Sequence, residues 1–444
     1  MKIHEMRLKN FKKFEDVAFR FNPEFTVLIG DNATGKSAML DALSIGIGAY
    51  LLDLADGPGR HFRPNEAREV IYMKGEVPSA VRQYPVSVEC TGELRGSQFN
   101  WKRTQKKFKG TTTREDAKDI IAQGSSDKQR LSKGEDVLLP VVSYYGTGRL
   151  WQRKNGIDTE KLRITDGYRD WYEPQANHYL FLKWIKQLEY GSKQRGKQYQ
   201  LLKVVQSTVA GCIPGCQGIF YDSTRDELMV EFEDKKVFGF ANLSDGYRNM
   251  IAMAADIAHR AARLNPQLGL GAVKETPGIV LIDEIDLHLH PKWQRTVVED
   301  LKRSFPNVQF IVTTHSPFIL QSLEAGEAID LNNVPKDSEY TSTSMGAWPE
   351  PDANYADRSI EDISEEVMNV EKPVRSARNV EMQKVSEKYF RMLNDAKTLS
   401  AEELGRARKE RDHLIEPYKG EVAFYTYLKM KEAAAGQGQE GGSE

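Results

Sequence analysis

The first part of the chain alternates hydrophobic and polar positions and then becomes wholly apolar over a short run. Between residues 2 and 29, Val17, Phe19 and Phe21 alternate with polar neighbours, and residues 26–29 form a short apolar run. This pattern predicts a small antiparallel structure followed by a buried strand. Apolar residues then recur near helical spacing from about 37 to 54. The chain is therefore predicted to open as strand, glycine-rich turn and helix.

The pattern is less regular between about 56 and 240. The run Gly57, Pro58 and Gly59 breaks the chain at the start of this region. Beyond it, the sequence predicts strands near 84–104 and 138–146, a helical region at about 174–206 and a hairpin at 219–240. No heptad repeat persists here, which argues against a long coiled-coil arm.

A regular succession of helices and strands returns at residue 243. The sequence predicts a helix from Ser244, a strand at 279–282, a helix opened by Pro291 and a strand at 309–312. This order is that of a parallel crossover unit. Beyond about 323 the sequence is polar and acidic. It predicts helices at 359–370, 377–394 and 400–430 and a disordered tail from 436 to 444.

Composition and charge restrict the class of protein without identifying it. The 444 residues carry a formal net charge of −2, so any contact with nucleic acid must come from a local basic patch. The chain has no signal-peptide core and no apolar run of about 18 residues, so we expect no membrane-spanning helix. Cys90, Cys212 and Cys216 are too few for a disulfide framework, so we expect a cytoplasmic protein. Cys212 and Cys216 could form half of a metal site, but no second cysteine or histidine pair lies near them in sequence.

A phosphate-binding motif follows the first buried strand. Residues 30–37 have the pattern G-x-x-x-x-G-K-S between a predicted strand and a predicted helix, a context that argues against a chance glycine-rich turn. In such a loop, backbone N–H groups and the helix N-terminus surround phosphate oxygens, the lysine bridges the outer phosphates and the serine hydroxyl coordinates Mg²⁺. The sequence therefore predicts binding of ATP and Mg²⁺ by Gly30, Asn32, Ala33, Thr34, Gly35, Lys36 and Ser37.

Two acids end the apolar strand at 279–282. Asp283 is predicted to hold the Mg²⁺ shared with Ser37, and Glu284 to orient and deprotonate the attacking water. The alternative is a strand that runs out to solvent and ends in ordinary surface acids. Two carboxylates buried beside an apolar strand are costly unless a cation or hydrogen-bond donors lie nearby, and the phosphate-binding motif favours the functional interpretation.

A second helix N-terminus and a histidine complete the set of candidate residues. Segment 242–247 resembles the L-S-G-G-Q signature of ABC-type ATPases, keeping Ser244 and Gly246 but departing from it at Asp245 and Tyr247. In that family the signature reaches the γ-phosphate held by the opposite subunit. His315 resembles the family's switch histidine, so that Glu284, His315 and Lys36 are the residues expected to act in hydrolysis. A plain helix-capping serine and a structural histidine are the alternatives.

His288 and His290 alternate just before Pro291 and would share one face of an extended segment, which permits a metal-binding interpretation. The resemblance supplies a simpler account, since D-E-x-x-x-x-L-H-P is how one branch of the ABC-type heads continues near its dimer interface. That branch contains the RecF, SMC and overcoming-lysogenization proteins. Asn10 and Phe11 are typical of it, and the adjacent Lys12 or Lys13 either contacts the nucleotide or is solvated.

Three further segments narrow the resemblance to the ATPase subunits (PtuA-like) of Septu anti-phage systems. They are 139–146, 283–291 and 357–363. Residues 143–149 occupy the region where a transporter ATPase has its glutamine loop. The resemblance implies a defence ATPase that forms a homodimer or higher oligomer through composite ATP sites and works with a separate HNH-type nuclease.

The same resemblance implies an α/β ABC-type P-loop ATPase head with an inserted subdomain and a helical C-terminal extension. The expected parts are an N-terminal lobe with the P-loop (1–55), an inserted α+β subdomain (56–240), a lobe with the signature, the acidic strand end and the switch histidine (241–323), a helical extension (324–432) and a disordered tail (433–444). Residues 324–444 lack the D-x-D and apolar strands of a Toprim nuclease, so that cutting is expected from a partner.

Segment 101–110 concentrates positive charge beside two aromatic residues. Its basic residues run from Lys102 to Lys109, it contains no acid, and its aromatics are Trp101 and Phe108. Such a segment can neutralise phosphates and stack on bases, which predicts nucleic-acid binding. A solvated basic hairpin is the alternative. Two other functions also stay open: a DNA-repair or chromosome-maintenance ATPase, and a regulatory scaffold whose ATP site is a slow timer.

Overall fold

The computed structural model describes residues 1–55, 59–149, 163–173, 178–196, 199–332, 355–370, 377–395 and 401–437. Its internal contacts divide the chain into two units, Met1–Ile363 and Ser364–Glu444. Each unit is described by itself. The predicted break at Gly57 and Pro58, the start of the helical region at 174–177 and the end of the tail at 438–444 lie outside the described residues.

All the strands of the described residues belong to the first unit. They are β1 (Lys2–Phe11), β2 (Phe14–Arg20), β3 (Phe25–Ile29), β4 (Glu69–Lys74), β5 (Val77–Arg82), β6 (Val86–Leu94), β7 (Ser97–Gln105), β8 (Val141–Tyr145), β9 (Cys216–Asp222), β10 (Glu227–Phe232), β11 (Val237–Gly239), β12 (Gly278–Ile282), β13 (Val308–Thr313) and β14 (Ala328–Asp330).

The helices lie in both units. Those of the first unit are α1 (Lys36–Leu51), α2 (Lys118–Ser132), α3 (His178–Arg195), α4 (Gln200–Gly211), α5 (Asp245–Leu264), α6 (Pro291–Gln294), α7 (Val297–Ser304), α8 (Pro317–Leu320) and α9 (Ile360–Asp362), and those of the second are α10 (Ala377–Asp395), α11 (Ala401–Ile415) and α12 (Val422–Gln437). Within the described part of the chain, no helix is both long enough and apolar enough to span a membrane.

A parallel sheet of five strands forms the centre of the first unit, in the order β14-β3-β13-β12-β8. Every residue of β3, β8, β12 and β13 is buried, as expected of a parallel sheet covered on both faces. The predicted strands at 26–29, 279–282 and 309–312 and the crossover between the last two are confirmed. Because parallel strands end at one edge, the segments that follow β3, β12 and β13 meet there.

An antiparallel sheet in the order β2-β1-β6-β7 lies on the other side of α1, which packs against both β6 and β13. This helix approaches the antiparallel sheet closely at Gly46, where an added Cβ would lie 2.4 Å from the sulfur of Cys90. The indole of Trp101 donates a hydrogen bond to the Gly46 carbonyl at 2.9 Å. The glycine therefore lets the helix that carries the P-loop lysine rest directly on this sheet.

Two smaller sheets complete the first unit. The hairpin predicted at 219–240 is confirmed as the three-stranded sheet β11-β10-β9. Strands β4 and β5 form a separate two-stranded ribbon, in which Ile71, Met73 and Val77 are exposed. The helical region predicted at about 174–206 consists of α3 and α4 where it is described.

The second unit is built from α10, α11 and α12 around a small core of Tyr389, Ile415 and Leu428. The helix predicted at 377–394 is confirmed by α10. The stretch predicted at 400–430 is two helices. A short 3₁₀ turn at Glu416–Tyr418, which contains Pro417, separates them. The helix predicted at 359–370 is only a short α-helix followed by a π-helical turn at Ile363–Val367. Helix α12 continues through Gln437, into the segment predicted to be disordered.

Candidate functional site

The loop between β3 and α1 requires glycine at both ends. Gly30 and Gly35 have φ angles of 137° and 100°, values that favour glycine over any residue with a side chain. An added Cβ would lie 2.8 Å from the Thr34 hydroxyl at Gly30 and 2.6 Å from the Phe14 ring at Gly35. The Thr34 hydroxyl also donates to the Asp31 carbonyl at 2.8 Å, which closes the turn. The backbone conformation of the loop therefore requires the two glycines of the G-x-x-x-x-G-K-S motif.

Lys36 lies over this loop and bonds to its backbone. Its Nζ donates to the Gly30 carbonyl at 2.7 Å and to the Asp31 carbonyl at 3.0 Å. The residue is buried, and desolvation lowers the pKa of its ammonium group, an effect that nearby carboxylates, Asp283 first among them, oppose. A partly desolvated cation at the N-terminus of α1 suits a multiply charged anion such as a triphosphate.

Asp283 and Glu284 follow β12 and are held by the neighbouring strand. The Thr313 hydroxyl donates to the Asp283 carboxylate at 2.7 Å and accepts from the Glu284 backbone N–H at 2.7 Å. Asp283 is buried, whereas Glu284 is half-buried with a left-handed φ of 49°. This turn brings the two carboxyl groups to the strand end. Thr313 was not among the residues predicted for the site, because a threonine that ends a strand carries no distinctive sequence signal.

One cavity of about 340 Å³ joins these elements. The residues that line it are Lys12, Lys13, Asn32, Ala33, Gly35, Lys36, Ser37, Ala38, Asp283, Glu284, Thr313 and His315. The structure thus brings together the loop, both acids and the histidine. Gly30 and Thr34 belong to the turn of the loop but are not among the described residues that line the cavity. The oxygen donors of Ser37 and Asp283 suit a hard cation such as Mg²⁺.

The two lysines of the β1–β2 turn differ in their partners. Lys12 is paired with Asp41 of α1. Lys13 donates to the Ala33 carbonyl of the phosphate loop at 3.3 Å, and desolvation lowers its pKa. Both lysines line the cavity, but only Lys13 has a hydrogen bond to the loop.

Ser244 and Gly246 begin α5, away from this cavity. Ser244 is the exposed N-cap, and its side chain makes no capping hydrogen bond. Gly246 packs against the backbone, since an added Cβ would lie 2.6 Å from the His288 carbonyl oxygen. Neither residue is among the described residues that line the cavity. The start of α5 is therefore a helix N-terminus with an exposed serine whose side chain makes no capping hydrogen bond.

His315 is exposed and its backbone is anchored by Asp286. The Asp286 carboxylate accepts from the Thr314 hydroxyl at 2.6 Å and from the His315 backbone N–H at 3.4 Å. His290 caps α6 instead of facing a metal, as its Nδ1 accepts from the Lys292 backbone N–H at 3.2 Å. The residues that the structure describes contain no cluster of three or more histidine, cysteine, aspartate or glutamate side chains arranged to bind a metal ion.

The basic segment 101–110 presents less to solvent than its sequence suggests. Trp101 and Arg103 are buried, and Lys102 pairs with Glu89 at 3.4 Å. The interpretation in which Trp101 stacks on bases is therefore wrong, because its indole packs beneath α1. The part of the segment left exposed is the turn that contains Lys106, Lys107, Phe108 and Lys109.

Arg149, which no sequence motif marks as a site residue, lies beneath the acidic strand end. Its buried guanidinium donates to the carbonyls of Asp283 and Glu284 at 2.7 and 2.8 Å. It also donates to the side-chain oxygen of Asn249 on α5 at 2.6 Å. The available signal was its place at the end of the 143–149 stretch, four residues after the buried strand β8.

One family model and several known proteins are similar to this chain. Residues 2–334 match the family model described as the RecF/RecN/SMC N terminal domain. The retron Vc95 probable ATPase of Vibrio cholerae serotype O1 biovar El Tor is 25% identical over 398 residues, which cover 75% of this chain and 74% of that protein. The Septu protein PtuA of Bacillus mycoides (strain KBAB4) is 27% identical over 358 residues, which cover 76% of this chain and 42% of that protein. A solved SMC head bound to the C-winged helix domain of ScpA aligns with 18% identity and a TM-score of 0.45, covering 74% of this chain and 94% of that one.

Proposed function

Since the chain belongs to the RecF/RecN/SMC N terminal domain family and is an ATPase, we propose that two copies of it hydrolyse ATP between them at composite sites. The observation that supports this proposal is the division of the site residues. Lys36, Asp283, Glu284 and His315 share one cavity, whereas Ser244 is exposed, is not among the described residues that line that cavity, and makes no side-chain capping hydrogen bond. A helix N-terminus of this kind binds anions, and a second copy would supply the anion as its bound triphosphate.

The roles of the cavity residues follow from their chemistry. The loop N–H groups, Lys36 and Lys13 would hold the phosphates. Ser37 and Asp283 would hold Mg²⁺, which when bound neutralises charge on the phosphate oxygens. Glu284 would orient the attacking water and take its proton. His315, at the exposed side of the same cavity, would contact the terminal phosphate.

We propose further that closure and opening of this dimer control a separate effector in anti-phage defence, with an HNH-type nuclease as the partner. The similarity to a Septu protein PtuA and to a retron ATPase supports the defence context. The motifs described from the sequence support the same assignment. ATP would bind the closed dimer preferentially. Hydrolysis of ATP would therefore shift the population from closed to open dimers, and the partner would respond to that change.

A role in DNA repair or chromosome maintenance is the second candidate. The family model that the chain matches is named after RecF, RecN and SMC proteins, and Lys106, Lys107 and Lys109 form an exposed basic turn. Stimulation of turnover by DNA in the absence of any nuclease would favour this function. Stimulation or inhibition of a co-purifying nuclease by ATP would favour the defence function.

Glu284→Gln tests the composite-site proposal. Removing the general base is expected to lower ATP turnover by at least about 100-fold while ATP binding is kept, so that closed dimer accumulates. Turnover by phosphate release, binding of a fluorescent ATP analogue and mass by light scattering are the measurements. Glu233→Gln makes the same change of charge at an exposed position outside the cavity and serves as the control. Unchanged turnover in Glu284→Gln would contradict the assignment.

A further inference from the structure

A buried guanidinium holds the backbone that carries the two acids of the site. Arg149 is 2% exposed, and its N–H groups donate to the carbonyls of Gly146 (3.1 Å), Asp283 (2.7 Å) and Glu284 (2.8 Å). With the bond to Asn249, four of its five N–H donors are used. Arg149 therefore fixes the backbone carbonyls of Asp283 and Glu284, the two residues that supply the acids of the site.

Arg149 has no ion-pair partner among the residues that the structure describes. Burial lowers its pKa to about 10, and the charges of Asp283, Asp286 and Glu284 oppose that shift, so that the guanidinium is protonated at neutral pH. A buried cation without a paired carboxylate is costly. An apolar side chain would fill the same space without that cost. We therefore attribute the presence of arginine at this position to its hydrogen-bond donors.

Asn249 connects this guanidinium to the helix that would contact the second subunit. It lies on α5, buried, between Arg149 and the segment after Glu284. Its side-chain oxygen accepts from Arg149 Nε at 2.6 Å, and its side-chain nitrogen donates to the Leu287 carbonyl at 2.8 Å. One amide therefore joins α5 directly to Leu287 and, through Arg149, to the carbonyls of Asp283 and Glu284.

A steric contact adds to these hydrogen bonds. Gly246, in the first turn of α5, lies so close to the His288 carbonyl that a Cβ would approach it to 2.6 Å. Glu284 and His288, which bound this segment, both have left-handed φ angles, 49° and 62°. The first turns of α5 and residues 283–288 are consequently held as one assembly, and displacement of the helix would displace Glu284.

We propose that Arg149 and Asn249 are positioning residues that couple docking of Ser244 on the partner's ATP to the placement of Glu284 in their own chain. The proposal rests on the composite sites proposed above and describes how hydrolysis at those sites is regulated. Each subunit contributes α5 to one site and Glu284 to the other. The link would therefore make hydrolysis in one site depend on closure of the other.

Asn249→Ala separates this coupling from a purely structural role. It removes the bonds to Arg149 and Leu287 but leaves Arg149 on the Asp283 and Glu284 carbonyls. We expect turnover at saturating ATP to fall by about tenfold or more, with ATP affinity within about threefold of the wild type. In the Glu284→Gln background, Asn249→Ala should still accumulate closed dimer.

Asn265→Ala is the matched control. Asn265 follows α5 at its far end, is buried, and bridges to the Leu139 backbone through both amide atoms at 2.8 Å. The two variants therefore lose the same kind of bond, and Asn265→Ala should keep turnover within about twofold for a similar loss of melting temperature. Equal turnover in both variants would overturn the proposal, and so would a loss of ATP binding or dimer formation in Asn249→Ala.

Arg149→Lys provides a second route if Asn249→Ala folds poorly. Lysine keeps the positive charge but cannot form the fork that contacts two carbonyls and Asn249 together. Turnover is expected to fall as in Asn249→Ala while ATP binding is retained, and wild-type turnover in Arg149→Lys would overturn the proposal. If wild-type protein forms no dimer with ATP, or the Glu284→Gln variant keeps its turnover, the composite-site proposal itself has failed instead.

Discussion

Two cations of the site, Lys36 and Arg149, bond to backbone carbonyls instead of to carboxylates. Lys36 contacts the carbonyls of Gly30 and Asp31, and Arg149 contacts those of Asp283 and Glu284. Lys36 can exchange its carbonyls for phosphate oxygens, because it lines the cavity. Arg149 does not line it and can act only through the backbone it holds. At the residue scale, binding and positioning are thus assigned to different cations.

A third buried residue, His259, gives a prediction about pH. Neither of its ring nitrogens has a hydrogen-bond partner in the described part of the chain, and its ring packs on Trp184 with centroids 4.9 Å apart. Burial lowers its pKa well below 6.5, assisted by Arg263 and Arg260. Below pH 6.5 the unfolded chain therefore binds a proton that the folded chain does not. We expect the free energy of unfolding to fall with decreasing pH there, by up to about 1.4 kcal/mol per pH unit.

His259→Phe should remove this dependence, because phenylalanine fills a similar volume and cannot bind a proton. Chemical denaturation at pH 7.5 and 5.5 is the measurement, with the wild type losing more stability between the two values than the variant. His413→Gln is the control, since the His413 side chain is 89% exposed. An identical pH slope in wild type and His259→Phe would show that His259 does not resist protonation in the folded state.

At the scale of elements, α5 shows a conflict between helix propensity and packing. Glycine in a helix costs roughly 1 kcal/mol relative to alanine, yet Gly246 stands where alanine would meet the His288 carbonyl. We expect Gly246→Ala to lower the free energy of unfolding by roughly 1–3 kcal/mol and to reduce turnover. Gly405 of α11 has open space around it, so Gly405→Ala should raise stability by up to about 1 kcal/mol.

Thermal unfolding of the two glycine variants, followed by circular dichroism, checks this prediction. The same chemical change is expected to have opposite signs at the two positions. Stabilisation by Gly246→Ala would mean that α5 does not lie against residues 283–288 as closely as the structure shows. The coupling proposed for Arg149 and Asn249 would then lose one of its contacts.

The elements that carry the site were predictable because each is a local pattern. The glycine loop follows β3, the acids follow β12 and His315 follows β13, and parallel strands bring these ends to one edge. The roles of Arg149 and Asn249 were not predictable, because they depend on a contact between residues 100 positions apart. The burial of Trp101 was missed for a similar reason, since a basic, aromatic segment does not reveal that α1 lies on it.

At the scale of the whole molecule, all the candidate site residues lie in the first unit, Met1–Ile363. That unit coincides closely with the residues matched by the family model, 2–334. The prediction of one helix at 400–430 is wrong, because Pro417 lies in the turn that separates α11 from α12.

The account depends most on the claim that each ATP site takes its loop from one copy and its α5 from the other. Mixing Lys36→Ala with Ser244→Arg tests it directly, because only a mixed dimer contains one site in which both parts are intact. Each variant alone should form no closed dimer with ATP, whereas an equal mixture should form mixed dimers, each closed around its one intact site, as measured by light scattering. A mixture that forms no more dimer than its components would contradict the account, and so would ATP-dependent dimer formation by Ser244→Arg alone.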